Sequence, residues 1–303
     1  MPSPTDFNLS PYFDDFDESK KFHRVLFRPA FAVQARELTQ SQTQLQNQIE
    51  RFGDHVFKHG TMVIPGNIGL DIEYYAVKLT SIASANTLAQ FTTGTIITGG
   101  TSGVVAEIVN TEALSGSDPN TLYVKYNKTG SNNTSFVFSD GETITGTNSD
   151  SVSLSAVVST TATGSAATVK QGVYYINGFF VQCDDATLIL DKYTNTPSYR
   201  IGFTITESFV TSNDDSTLND NATGSSNVNA PGAHRFKILL TLAKKTLSST
   251  EDSTFVELMR VENGTIKAEA RSTEYSILGD TLARRTFDES GDYVLTNPEF
   301  DVR

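Results

Sequence analysis

Residues Phe31 to Lys58 read FAVQARELTQSQTQLQNQIERFGDHVFK. Positions 31, 35, 38, 42, 45, 49, 52 and 56 step by four and three without a break, and are held by Phe31, Ala35, Leu38, Gln42, Leu45, Ile49, Phe52 and Val56. All but Gln42 are apolar, and almost everything between them is polar. This spacing predicts a long amphipathic helix or the seam of a coiled coil. The helix is expected over residues 31–59, roughly 40 Å at about 1.5 Å per residue. With Leu38, Leu45 and Phe52 at d, Gln42 and Ile49 fall at a, and the central e and g positions are Thr39, Ser41, Gln46 and Gln48. None of these flanking residues is charged, so an identical helix meets no repulsion. The stripe is therefore a candidate oligomer interface, in which a lone Gln at an a position costs stability but fixes register. The competing reading lays the stripe on the chain's own sheet. Many surface helices carry such a stripe, and Gly53 costs roughly 1 kcal/mol relative to Ala inside a helix.

The chain has 303 residues, room for two or three domains, and only 19% of them are charged. Gly, Ser, Thr, Asn and Asp are abundant, with 11 Tyr, 19 Phe and no Trp, a composition that favours strands and turns. A net charge of −12 argues against nucleic acid, whose phosphates require a basic surface. Cys183 is the only cysteine, so no intrachain disulfide forms. One Cys with His23, His55, His59 and His234 does not make a zinc cluster. His55 and His59 stand in an HxxxH spacing without the Glu of a metallohydrolase, and two solvent-facing histidines at a helix end are expected. No cofactor is expected. No apolar run approaches about 18 residues, so no membrane span is expected. The start MPSPTDFNLSPYF lacks the basic and apolar blocks of a signal peptide, which predicts a chain made and assembled in a cytoplasm.

Residues 1–30 read as an extended docking arm, held open by Pro2, Pro4 and Pro11. Its acidic run FDDFDES mixes carboxylates with rings, and Tyr12, Phe13 and Phe16 are the candidate anchors for apolar pockets. The spacing and glycine of a calcium loop are missing. Lys20, Arg24 and Arg28 follow, so neighbouring chains have opposite charges to pair.

After the helix the pattern turns to strands, at Thr61–Ile64 and Ile72–Thr80. From about Asn86 to Val158 the composition shifts to one dominated by Thr, Ser, Gly, Val and Ile, and residues 86–165 read as an insertion. Short strands are expected at 95–97, 104–110, 122–126, 136–138, 143–145 and 152–158, the pattern of a small β-barrel or sandwich. Ser159–Ala167 reads as an exit linker. Gly172–Val181 is a hairpin around Asn177-Gly178, and strands follow at 188–193 and 199–210. A long polar loop spans 211–233, with Asp214, Asp215 and Asp220 read as solvated. Strands over 236–245 and 255–270, with a turn at Asn263-Gly264, lead to a helix over Thr273–Arg285 capped by Ser272. The last residues, Asp301-Val302-Arg303, read as the start of another strand, which predicts a longer natural protein. The fold class is thus mainly β with a long N-terminal helix, β-sandwich or barrel modules one inserted in another, and a short C-terminal helix. Four parts are expected: the arm at 1–30, the helix at 31–59, a main β-domain at 60–85 and 166–303, and the inserted module at 86–165.

No catalytic set emerges. There is no GxSxG elbow, P-loop or strand-following GxGxxG. Cys183 sits beside Asp184 and Asp185, whose charges raise a thiol's pKa and weaken it as a nucleophile. No motif singles out a carboxylate pair for glycoside hydrolysis. Arg284, Arg285, Asp288 and Glu289 read as a structural charge cluster.

Several blocks carry a resemblance. They are Arg28-Pro29, Ala32–Gln40, Gly53–Lys58 (GDHVFK), Tyr175–Val181 (YINGFFV), Asn195–Gly202 (NTPSYRIG), Asn229–Lys237 (NAPGAHRFK) and Arg284–Tyr293 (RRTFDESGDY). Together they resemble a family of virion proteins, a domain of unknown function, found in tailed cyanophages and related marine phages. Ala30 departs from that family's usual Gly, and His234 from its common Asp. The resemblance implies a tail-associated structural protein, at the baseplate or at a fibre or spike root, with no known activity. Three readings compete: a self-associating tail adaptor, a receptor-binding protein whose β-module contacts host glycan, and an enzyme degrading host polysaccharide. The first is preferred, as a homotrimer in contact with other tail or baseplate proteins.

Overall fold

The structure, a computed structural model, describes residues 5–131, 133–220, 227–250, 252–270 and 276–291. It is mainly β. The elements run α1 (Ala35–Val56), β1 (Met62–Ile64), β2 (Ile68–Ile82), β3 (Ile96–Gly99), β4 (Val105–Glu112), β5 (Thr121–Lys128), β6 (Thr143–Thr147), β7 (Ser153–Val169), β8 (Gly172–Ile176), β9 (Phe179–Cys183) and β10 (Ala186–Asp191). There follow β11 (Tyr199–Val210), β12 (Asn219–Asp220), β13 (Asn227–Pro231), β14 (Arg235–Thr246), β15 (Phe255–Glu262), β16 (Thr265–Glu269) and α2 (Ser276–Ser290).

One sheet closes on itself. Its order is β10-β7-β2-β5-β4-β3-β6, and β6 pairs back onto β7. Strands β7, β2, β5, β4, β3 and β6 therefore form a ring, and ring closure removes the free edges that invite aggregation. Alternation explains its filling. Val77 and Leu79 of β2, Ala106 and Ile108 of β4, Leu122 and Val124 of β5, and Leu154, Ala156 and Val158 of β7 are buried in one core at every second position. Ile97 and Ile144 complete that core, with Phe91 and Phe138 from connecting segments.

A second core lies outside the ring. It joins Met62, Ile68, Val169, Tyr174, Ile176, Leu190, Ile201, Phe203, Leu240, Leu258 and Val261. These come from the sheets β1-β8-β9 and β14-β11-β15-β16, from β10 and from the far ends of β2 and β7. Between the two cores, Tyr74 stacks on Tyr123 at 4.8 Å, with Ala76 and Ala166 buried beside them. Hence β2 and β7 run through both cores. A boundary at 165/166 falls inside β7.

The Asn177-Gly178 and Asn263-Gly264 turns both take positive φ (48° and 85°, 49° and 74°), the conformation that two-residue hairpin loops require. Three expectations are corrected. The helix is shorter than 31–59: α1 begins after Gln34, whose N–H donates to Glu37 Oε2 at 2.9 Å in a capping box, so Phe31 lies outside it. It ends because Phe57 turns to extended backbone and buries its ring 5.8 Å from Tyr175. The expected linker Ser159–Ala167 is strand, part of β7, and the expected strand at 136–138 is irregular. The second helix is α2; the expected cap Ser272 and the terminal residues 301–303 lie outside the described residues.

Candidate interaction surface

The polar side of α1 is the side that packs. Tyr175 of β8 lays its ring against the helix at Gly53, where an added Cβ would stand 2.4 Å from the ring. Its hydroxyl lies 2.9 Å from both the Glu50 carbonyl and Asp54 Oδ1, acceptors between which its one proton is shared. Burial, reinforced by Asp54, pushes the Tyr175 pKa well above its ordinary value, so it stays a donor. Gln46 Nε2 donates to the Gly178 carbonyl at 2.8 Å, fastening the helix to the β8–β9 hairpin. Glu50 is partly desolvated there, and burial raises its pKa.

The arm closes the rest of that face. Buried Asp14 accepts from Thr43 Oγ1, and Asp15 accepts from Gln40 Nε2 and, at 3.3 Å, from Arg36. Gln44 is buried beneath them. Further out, Phe7 packs edge-on against Phe236 at 5.0 Å and Phe209 at 6.0 Å. Tyr12 stacks on Phe209 at 5.0 Å, and its hydroxyl lies 2.8 Å from His234 Nδ1. Of the three expected anchors, then, Tyr12 meets this chain's own β11 and its neighbour His234, Phe16 is half-buried near α1, and Phe13 is exposed. Phe7, Phe209 and Phe236 were not singled out from sequence. Isolated aromatics, in an arm or in strands, carry no signal of what docks on them.

The apolar stripe points the other way. At about 100° per residue, Leu38, Leu45, Phe52 and Val56 lie roughly opposite Thr43, Glu50 and Asp54. Leu38 is 53%, Leu45 64% and Phe52 68% exposed. Phe31, Ala35, Gln42 and Ile49 are exposed too, and Val56 is half-buried. The stripe does not lie on the chain's own sheet. α2 packs beside α1, and its Leu282 and Phe287 are exposed.

The other candidates are quieter. Cys183 is buried at the end of β9, and burial first, then its neighbouring carboxylates, pushes its thiol up. His55 is exposed on the last turn of α1, but His59 is not the solvent-facing partner expected of it. It lies past the helix end, half-buried, accepting from the Asn177 N–H at 3.3 Å, and burial lowers its pKa. Asp214 accepts from Thr211 and Asp215 from Thr217, as loop caps. Among the described residues no group of three or more His, Cys, Asp or Glu is placed to hold a metal ion, and no helix is long and apolar enough to cross a membrane. Two concavities stand out. One of about 660 Å³ lies between His59–Met62, β15 and β16. The other, about 520 Å³, is bordered by Tyr74, Tyr75, Tyr126 and Phe136.

A ring-and-sheet β protein carrying an outward apolar helix is the class these features define. The chain belongs to the family described as a domain of unknown function (DUF4815), which matches residues 10–101 and 101–299. No curated protein and no solved structure matches it.

Proposed function

We propose that this chain is a structural component of a bacteriophage tail, an adaptor in the baseplate or at the root of a fibre or spike. It self-associates through the outward stripe of α1 and docks neighbouring tail proteins. The phage assignment rests on the resemblance of the sequence blocks; the family's description assigns no function. The observation that supports self-association is the inverted placement of α1, polar side in and apolar side out. A helix on a finished globular surface does the reverse, and contiguous exposed apolar surface marks a place of contact. Neutral flanks leave a second copy unopposed. The assembly is read as a parallel homotrimer, the number coming from the resemblance to tail fibres, since Ile at a with Leu at d leans to dimers. In this reading the ring is a module carried by the main β-domain, the protein resides in the virion after assembly in the host cytoplasm, and it is not an enzyme.

Sedimentation and circular dichroism on one sample test it. The wild type is expected as a trimer at micromolar concentration. Leu45→Asp with Ile49→Asp is expected to stay folded, because both side chains face away from their own chain, and to dissociate, because unpaired buried charge costs several kcal/mol in an interface. A monomeric wild type, or a double variant that still assembles, overturns the reading. A second reading, a receptor-binding tail protein whose β-module contacts host surface glycan, is favoured by the aromatic groove on the ring.

A further inference from the structure

We infer that the groove between β2, β5, Thr129 and Phe136–Val137 is a binding site for a neutral pyranose sugar. The inference deepens the receptor-binding reading and is independent of self-association through α1.

The groove has a fixed aromatic floor. Tyr126 stands between Tyr75 at 5.1 Å and Phe138 at 5.3 Å, both edge-on, and its hydroxyl accepts from the Phe138 N–H at 3.4 Å. Phe136, two residues before buried Phe138, holds its ring 65% exposed at the border. Tyr74 and Tyr75 both border the groove, although consecutive residues of a regular strand face opposite sides. The register between β2 and β7 slips between Asp71 and Tyr74, and the register between β4 and β5 slips between Ile108 and Asn110, behind Val109. Bulges of this kind re-aim side chains next to functional sites.

The rim decides the ligand class. Asp71 and Glu73 stand on β2, with Asp71 Oδ1 accepting the Glu73 N–H at 2.8 Å. Lys125, Asn127 and Lys128 stand on β5. The rim carries two carboxylates and two ammonium groups, so it has no net charge with which to select an anion or a cation. An all-apolar ligand would leave these groups unmet. A neutral ligand with an apolar face and a hydroxylated edge satisfies both. The C–H face of a pyranose lies on the exposed Phe136 ring, beside the half-buried Tyr75 and Tyr126. Its hydroxyls donate to Asp71 and Glu73 and accept from Lys125, Lys128 and the Asn127 amide. A volume of about 520 Å³ is within the range of small-molecule sites.

Saturation-transfer NMR on the full chain tests the site, with the methyl glycosides of glucose, galactose, mannose and N-acetylglucosamine as probes and choline as the cationic control. Transfer to the ring protons of at least one glycoside is expected, with affinity on the order of millimolar. Phe136→Ala and Glu73→Gln, both at exposed positions, are each expected to weaken it about tenfold. Sedimentation of the same samples is expected to be unchanged, which separates failure here from failure of self-association. Transfer from choline but from no glycoside, no transfer at all, or transfer that survives both substitutions overturns the assignment.

Discussion

Gly53 works against α1 in one respect and for it in another. In a helix interior it costs roughly 1 kcal/mol relative to Ala. Yet the Tyr175 ring fills the space a Cβ would take. Gly53→Ala is therefore expected to lower stability by about 1–2 kcal/mol, the overpacking loss exceeding the propensity gain. Urea unfolding checks it, and a stabilised variant would show that the ring yields freely. Glu142 is the other informative residue. Burial alone would raise its pKa, but N–H donors from Ser102, Ser139 and Thr101, at 2.9, 2.6 and 3.0 Å, outweigh it and hold the carboxyl below its ordinary value of 4.5. Its contribution is thus present above about pH 4.5 and is lost as pH falls through the folded-state pKa. Glu142→Gln is expected to cost about 1–3 kcal/mol at neutral pH and to flatten the acid limb of the stability curve. An unchanged acid limb would remove Glu142 from that role.

At the scale of elements, the sequence told which residues form one face of α1 but not which face is inside. A period of 3.6 locates the apolar side; it is silent on whether the rest of the chain covers it. The only local hint was Gly53, a small residue at the edge of the stripe. Period two worked well for the ring strands, and Asn-Gly placed two hairpins. It failed at Ser159–Ala167, where small residues mimic a linker. Gly164 explains why they are small: a Cβ there would stand 2.5 Å from the Lys192 carbonyl. Ser165, Ala166 and Ala167 are buried between β2 and β10. The arm was legible as extended but not as intramolecular, since its targets on β11 and β14 are more than about 190 residues away in sequence. Removing residues 1–16 would expose Phe209 and Phe236 and strip Gln40 and Thr43 of their carboxylates. The expected result is a lower thermal midpoint with increased binding of an apolar dye. An unchanged midpoint would show that the arm is not part of the fold's support.

For the whole molecule, the division into ring and main domain sits inside strands rather than in linkers. Excising residues 86–165 would take Ser153–Ser165 out of β7 and leave half of β2 without that neighbour. Loss of soluble protein is expected. Excising Ser84–Ser151 with a short turn instead keeps the β2–β7 ladder, and its strand signal in circular dichroism is expected to persist. If both deletions behave alike, the β2–β7 ladder is not what keeps the main β-domain folded. The net charge of −12 favours solubility of the single chain.

The two shared strands also bear on mechanics. At 15 and 17 residues, β2 and β7 each extend roughly 50 Å at about 3.3 Å per residue, side by side and without a loop between the cores. A joint made this way has no loop to absorb a sideways load, only the bulge between Asp71 and Tyr74. Force applied at the rim of the ring would travel along two covalent struts and reach the base of the molecule as torque.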